Sequence, residues 1–146
     1  MKTITDKQVA DQLITRINLL SQDSRPQWGK MNTYQMLRHL IMWEEMALGK
    51  TLYKQSFMGR LFGKIALKDM LKDGPLKPNL PTVPGFKIDG DGDVAAEKEK
   101  LTALINAHTR YTGEGFLHPF FGNLTPEQAG YIAYKHADHH LRQFGV

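Results

Sequence analysis

Apolar residues recur along this chain at the three-and-four spacing of helices, and five stretches sustain it long enough to define an element. The clearest is the last. At ~100° per residue, Ala129, Ile132, Ala133, His136, His139, His140, Gln143 and Phe144 fall on one face. The first half of that face is apolar, as a core-facing stripe should be, and the second half is imidazole. A second stripe carries Asn32, Gln35, Met36, His39, Met42, Trp43 and Met46, and another carries Leu101, Leu104, Ile105, His108 and Tyr111.

Three helix starts share one signature: a capping residue, a Gln three positions on, and apolar residues either side. Thr5 with Gln8 opens a helix running to about Leu20, Asn32 with Gln35 one reaching about Leu48, and Thr125 with Gln128 the last, with Pro126 at its first position. Phe57 to Lys72 reads as a further helix stopped by Gly74 and Pro75, and Asp93 caps a helix from Val94 to about Tyr111. Ser21 to Lys30 is a loop with Trp28 packed beneath it. The proline-rich stretch between Pro75 and Asp93 predicts a strap lying on the surface through Leu80, Val83, Phe86 and Ile88. Thr112 to Asn123 reads as an aromatic-rich loop, and no segment has a convincing strand pattern. The expectation is an all-α single domain over residues 1–146, with four principal helices and one inserted helix.

Composition narrows the chemistry. The 146 residues are 41% hydrophobic and 23% charged, ordinary for a globular protein, and contain no cysteine. Disulfides and catalysis by a protein thiolate are thereby excluded, and any metal site must draw on His, Asp or Glu. The polar start lacks the apolar core of a signal peptide, and no apolar run approaches a membrane span, so a cytoplasmic location is the expectation. The formal charge of +4 is unevenly placed: residues 50–77 hold seven cations against two aspartates, +5, leaving −1 for the rest. That is not a nucleic-acid-binding composition. Arg60, Lys64, Lys68 and Lys72 form a row at spacing four, read either as a solvated helix face or as an anion or membrane-surface site backed by Phe57, Met58, Leu61, Phe62 and Ile65. Asp89 to Asp93 is no calcium loop, because Val94 stands where Gly is needed and Lys100 where Glu is needed.

His136 and His140, four apart, lie on one side of consecutive turns and have the spacing to reach one metal ion. His39 points inward from the second helix and completes a three-His set. From the residues alone, a metal site and a hydrogen-bonded core stand as equal readings. Three neutral imidazoles would leave coordination positions open, the arrangement of a catalytic site. His139 projects ~60° from His136 on the side away from His140, giving either an outer, proton-handling position or a pocket edge without a role. His108 reads as a satisfied core histidine. His118 reads as packing or capping at the bundle end, on a loop that could overhang the site.

The pattern WGKMNTYQMLRHL, then HPFFGNLTPEQ, then HADHHLRQFG resembles the DinB/YfiT-like superfamily, and within it a small-protein branch of unknown function. The resemblance covers nearly the whole chain. It implies a four-helix bundle holding a divalent metal, nickel or zinc, through His39, His136 and His140, with Gln143 matching a Gln of the family motif as an orienting partner. It also implies homodimerisation through bundle faces and a small-molecule substrate. The implied activities are S-transfer from a low-molecular-weight thiol or metal-dependent hydrolysis, with a non-catalytic interaction bundle as the alternative. The basic helix and strap inserted between the second and third bundle helices depart from the family pattern, so no particular substrate carries over.

Overall fold

Two of the three expected capping boxes close in the computed structural model, which describes residues 1–146 apart from the side chain of Pro84. Asn32 caps α2 (Thr33–Ala47) and Thr125 caps α5 (Pro126–Gln143), in each case with the Gln three residues on reaching back to the cap amide. The first helix corrects the sequence reading. Asp6, not Thr5, caps α1 (Lys7–Asn18), because its carboxylate takes both the Gln8 and Val9 amides while the Thr5 hydroxyl pairs with that of Thr3. A carboxylate at a helix N-terminus also gains from the helix dipole, which a hydroxyl does not.

Helix α3 (Phe57–Met70) starts at Ser56, and α4 (Val94–His108) starts at Asp93 as expected. Each ends two or three residues earlier than its apolar spacing suggests. Helices α1, α2, α4 and α5 pack in the closed order α1–α4–α2–α5 around one core that includes Leu13, Ile17, Met36, Ile41, Leu101, Ile105, Ile132 and Leu141. That ring is the mostly helical architecture the periodicity predicts. Among the described residues, no helix is long and apolar enough to cross a membrane.

Two expectations fail. The aromatic-rich loop contains a two-stranded antiparallel hairpin, β1 (Phe116–His118) and β2 (Gly122–Leu124), pairing Phe116 with Leu124 and His118 with Gly122. Strands of three residues are too short to display an alternation. The turn is held from inside, because His118 Nδ1 accepts the Phe120 and Phe121 amides at 3.1 and 3.0 Å. The strap, in turn, does not lie wholly on the surface. Leu80 is exposed, but Phe86, in a 3₁₀ turn at Pro84–Phe86, is buried in the core cluster.

Helix α3 lies outside the ring, against the hairpin. A Cβ on Gly63 would stand 2.1 Å from the Phe120 carbonyl oxygen, and one on Gly59 2.6 Å from it, so the two glycines allow a close approach that alanine would not. Its far end is tied by buried Lys135, whose Nζ donates to the Met70 and Lys72 carbonyls at 2.9 and 2.6 Å.

Buried elsewhere in the ring is a polar pair, Glu44 of α2 and His108 of α4, with Oε2 and Nδ1 2.6 Å apart. His108 is therefore the satisfied core histidine its position predicts.

Candidate metal centre

His39 faces α5 from the second turn of α2, and His136 and His140 meet it from two consecutive turns of α5. The Nε2 atoms of His39 and His136 are 2.8 Å apart, those of His136 and His140 are 3.2 Å apart, and the three donor atoms all lie within 4.8 Å of one another. For comparison, nitrogens about 2.0–2.1 Å from a tetrahedral zinc sit roughly 3.4 Å from each other. His39 and His140 are buried, and His136 is intermediate as a residue, with its Nδ1 buried.

The outer nitrogens decide what the inner ones carry. His39 Nδ1 lies 3.2 Å from the Phe86 carbonyl oxygen, which can only accept, so the proton of this neutral ring is on Nδ1 and Nε2 is a bare lone pair. His140 Nδ1 lies 2.8 Å from Gln143 Oε1. The amide orientation is set on its other side, where Gln143 Nε2 donates to the Trp28 carbonyl at 2.7 Å. His140 Nε2 is therefore bare as well. Between the three converging nitrogens there is room for one proton at most, the one His136 could carry. With the His136 proton on Nδ1 instead, three lone pairs would point at one small volume, an arrangement that is unfavourable unless a cation sits among them.

The environment keeps the rings neutral. Burial pushes the His140 pKa down to about 3, with His39 adding to the effect and the Gln143 bond opposing it. Burial lowers His39 against the pull of the Phe86 carbonyl, and lowers His136 well below its usual range, helped by the other two rings. An unprotonated imidazole is the form that ligates. All donors are neutral nitrogen, a set suited to zinc, nickel or copper rather than to calcium or magnesium, and it would leave a bound cation's full charge available. The residues present fit such an ion.

The sequence-derived candidates separate here. His39, His136 and His140 come together. Gln143 takes the orienting position. His139 does not join the group: its ring packs beside Trp28 and His140, and its Nδ1 is buried without a partner among the described residues. His118 comes nearer the site than a bundle-end position suggests, packed between Trp43 and Phe121, and Trp43 lies edge-on to His136. Two backbone participants have no signature of their own in the sequence, the Phe86 and Trp28 carbonyls. A hollow of about 360 Å³ lined by Tyr131, Tyr134 and Lys135 borders none of the three rings.

The family model described as "Protein of unknown function (DUF1569)" matches residues 5–145. The chain belongs to that family. No curated protein and no solved structure matches it.

Its buried histidines also set an acid limit. His118 is held to about 3 by burial, like His140, whereas unfolded histidines titrate near 6.5. Below that value the unfolded chain takes up protons that the folded chain refuses. The stability these groups contribute is full above pH ~6.5 and is lost as pH falls toward about 3. Metal-free protein is expected to lose about 1–3 kcal/mol between pH 7 and 5.5, measured by urea unfolding at the two values. A flat profile over that interval would mean that these rings are not held neutral.

Proposed function

We propose that this protein binds one divalent cation of the zinc or nickel kind through Nε2 of His39, His136 and His140, and that it is a metal-dependent enzyme of the DinB-like kind acting on a small molecule. The observation that carries the reading is the proton count: three inward nitrogens, two of them fixed as lone pairs by the Phe86 and Gln143 acceptors.

A cation held this way supplies Lewis acidity, which lowers the pKa of a water or incoming thiol and makes a nucleophile at neutral pH. The chain's own residues do the rest. The Phe86 carbonyl and Gln143 fix the ring planes of His39 and His140, and Trp43 covers one side of His136. With no cysteine in the chain, a thiol nucleophile must come from solution. Likeness to the DinB superfamily favours S-transfer from a low-molecular-weight thiol over hydrolysis.

Metal analysis of protein purified without added metal tests the first step. One equivalent supports the site, and a metal-free protein that binds no added zinc or nickel favours a non-catalytic interaction bundle. Consumption of thiol with an electrophile then separates the two chemistries, since turnover without thiol excludes S-transfer. The orienting bond gives a sharper prediction. Gln143→Ala is expected to weaken zinc or nickel binding about 10–100-fold by calorimetric titration, because the proton position on His140 is no longer enforced. Unchanged affinity would remove Gln143 from the site.

A further inference from the structure

Helix α3 is the element the metal centre leaves unexplained. Its inner side rests on the hairpin through Gly59 and Gly63, yet its outer side exposes Phe57 at 72%, Met58 at 53%, Leu61 at 54%, Phe62 at 48% and Ile65 at 71%. At ~100° per residue these five span ~140° of the circumference, a continuous apolar strip on a helix of 14 residues. Leu52, 87% exposed, stands just ahead of it. Single exposed apolar residues need no explanation, but a strip of this kind does.

The strip is bordered along one flank by Arg60 and Lys64 and closed at its C-terminal end by Lys68, all exposed and forming no ion pair among the described residues; on the same helix Asp69 is paired with Lys72. Together with Lys50, Lys54, Lys72 and Lys77 these make the segment that holds +5 of a chain whose total is +4. We infer that the outer face of α3 is a docking surface for an anionic lipid bilayer, with Phe57, Leu61 and Ile65 entering the interface and Arg60, Lys64 and Lys68 reaching the phosphates.

Apolar area alone would suit a second copy of the chain equally well. The charges decide against it. In antiparallel self-packing through the strip, each flank meets itself, and the cationic flank of Arg60 and Lys64 faces its own duplicate. In parallel self-packing the row faces Met58 and Phe62, with Asp69, the one carboxylate on that side, already committed to Lys72. Neither arrangement gives the cations a counter-charge, whereas an anionic bilayer supplies it along the whole row.

Flotation of the intact protein with vesicles of phosphatidylglycerol and phosphatidylcholine, compared with phosphatidylcholine alone, tests the inference. Binding is expected to the anionic vesicles, to fall at high salt, and to be nearly absent on the neutral ones. Arg60→Ala/Lys64→Ala/Lys68→Ala is expected to weaken it about a hundredfold, from roughly 1 kcal/mol for each basic residue near the surface. Leu61→Ser/Ile65→Ser should abolish it. Both sets of residues are exposed, so unchanged melting and unchanged metal content in these variants separate a lipid-binding defect from a folding defect. The inference is overturned if the wild type stays with the unbound fraction on anionic vesicles. It is also overturned if light scattering shows a stable dimer that Leu61→Ser/Ile65→Ser converts to monomer.

Discussion

A His136→Leu variant is expected to fold and to hold no metal. His136 is the ring both others approach, with Nε2 contacts of 2.8 and 3.2 Å, so its removal leaves two donors and no centre. Losing an outer hydrogen-bond partner of a ligand costs about 10–100-fold in affinity, and losing the ligand itself should exceed the upper figure. Zinc or nickel at a hundredfold excess over its Kd should stabilise the wild type by about 2.7 kcal/mol, raising Tm by roughly 5–10 °C, and should leave the variant unmoved. The metal-free variant should be as stable as the metal-free wild type or more so. His136 Nδ1 is buried without a partner among the described residues, and an apolar side chain there removes that orphan, which offsets the loss of the one proton His136 could place between the rings. Differential scanning calorimetry with and without metal reads both effects. A variant that melts well below metal-free wild type would show the ring to be a structural member of the core.

The opposite sign is expected at His108. His108→Leu leaves the Glu44 carboxylate, 3% exposed, with no partner in the core, and removing one member of such a pair costs about 3–5 kcal/mol. Tm should fall by roughly 10 °C or more in a domain of this size. Glu44→Leu/His108→Leu should recover most of the loss, because a well-packed apolar pair is often as stable as a buried polar one. Metal affinity should not change in either variant, since neither residue belongs to the three-ring group. Urea unfolding of the two variants checks the first pair of expectations and calorimetric titration the last. Equal destabilisation by the single and double changes would mean that the histidine ring's shape, rather than its hydrogen bond, is what the core requires.

The contrast between these two sites reflects what the sequence made legible. Spacing alone places His39, His136, His140 and His108 on inward faces, because a helix repeats regularly enough for a face to be read from residue types. It does not say which inward histidine meets a carboxylate and which meets other histidines. That depends on how α2 sits between α4 and α5: Glu44, five residues after His39, faces α4, while His39 faces α5. Gln143 was readable because it shares a face with His140 one turn on. The Phe86 carbonyl was not, since any residue has one and only the path of the strap brings it to His39.

The misreadings have equally local causes. Thr5 and Asp6 are both good caps, and the choice turned on one residue's difference in where the chain enters α1 from Ile4, which is anchored by its amide to the Gly130 carbonyl at 3.1 Å. The hairpin was hidden because its three-residue strands carry too little pattern, and its turn is stabilised by the His118 side chain rather than by a recognisable two-residue turn sequence.

Whether three imidazoles share one ion is read most directly by X-ray absorption at the zinc or nickel edge of the loaded protein. It should show about three imidazole nitrogens near 2.0–2.1 Å for zinc, with the outer-ring scattering that identifies histidine, and His136→Leu should abolish the signal. A shell of oxygen alone, or a spectrum unaltered by that substitution, would contradict a shared ion.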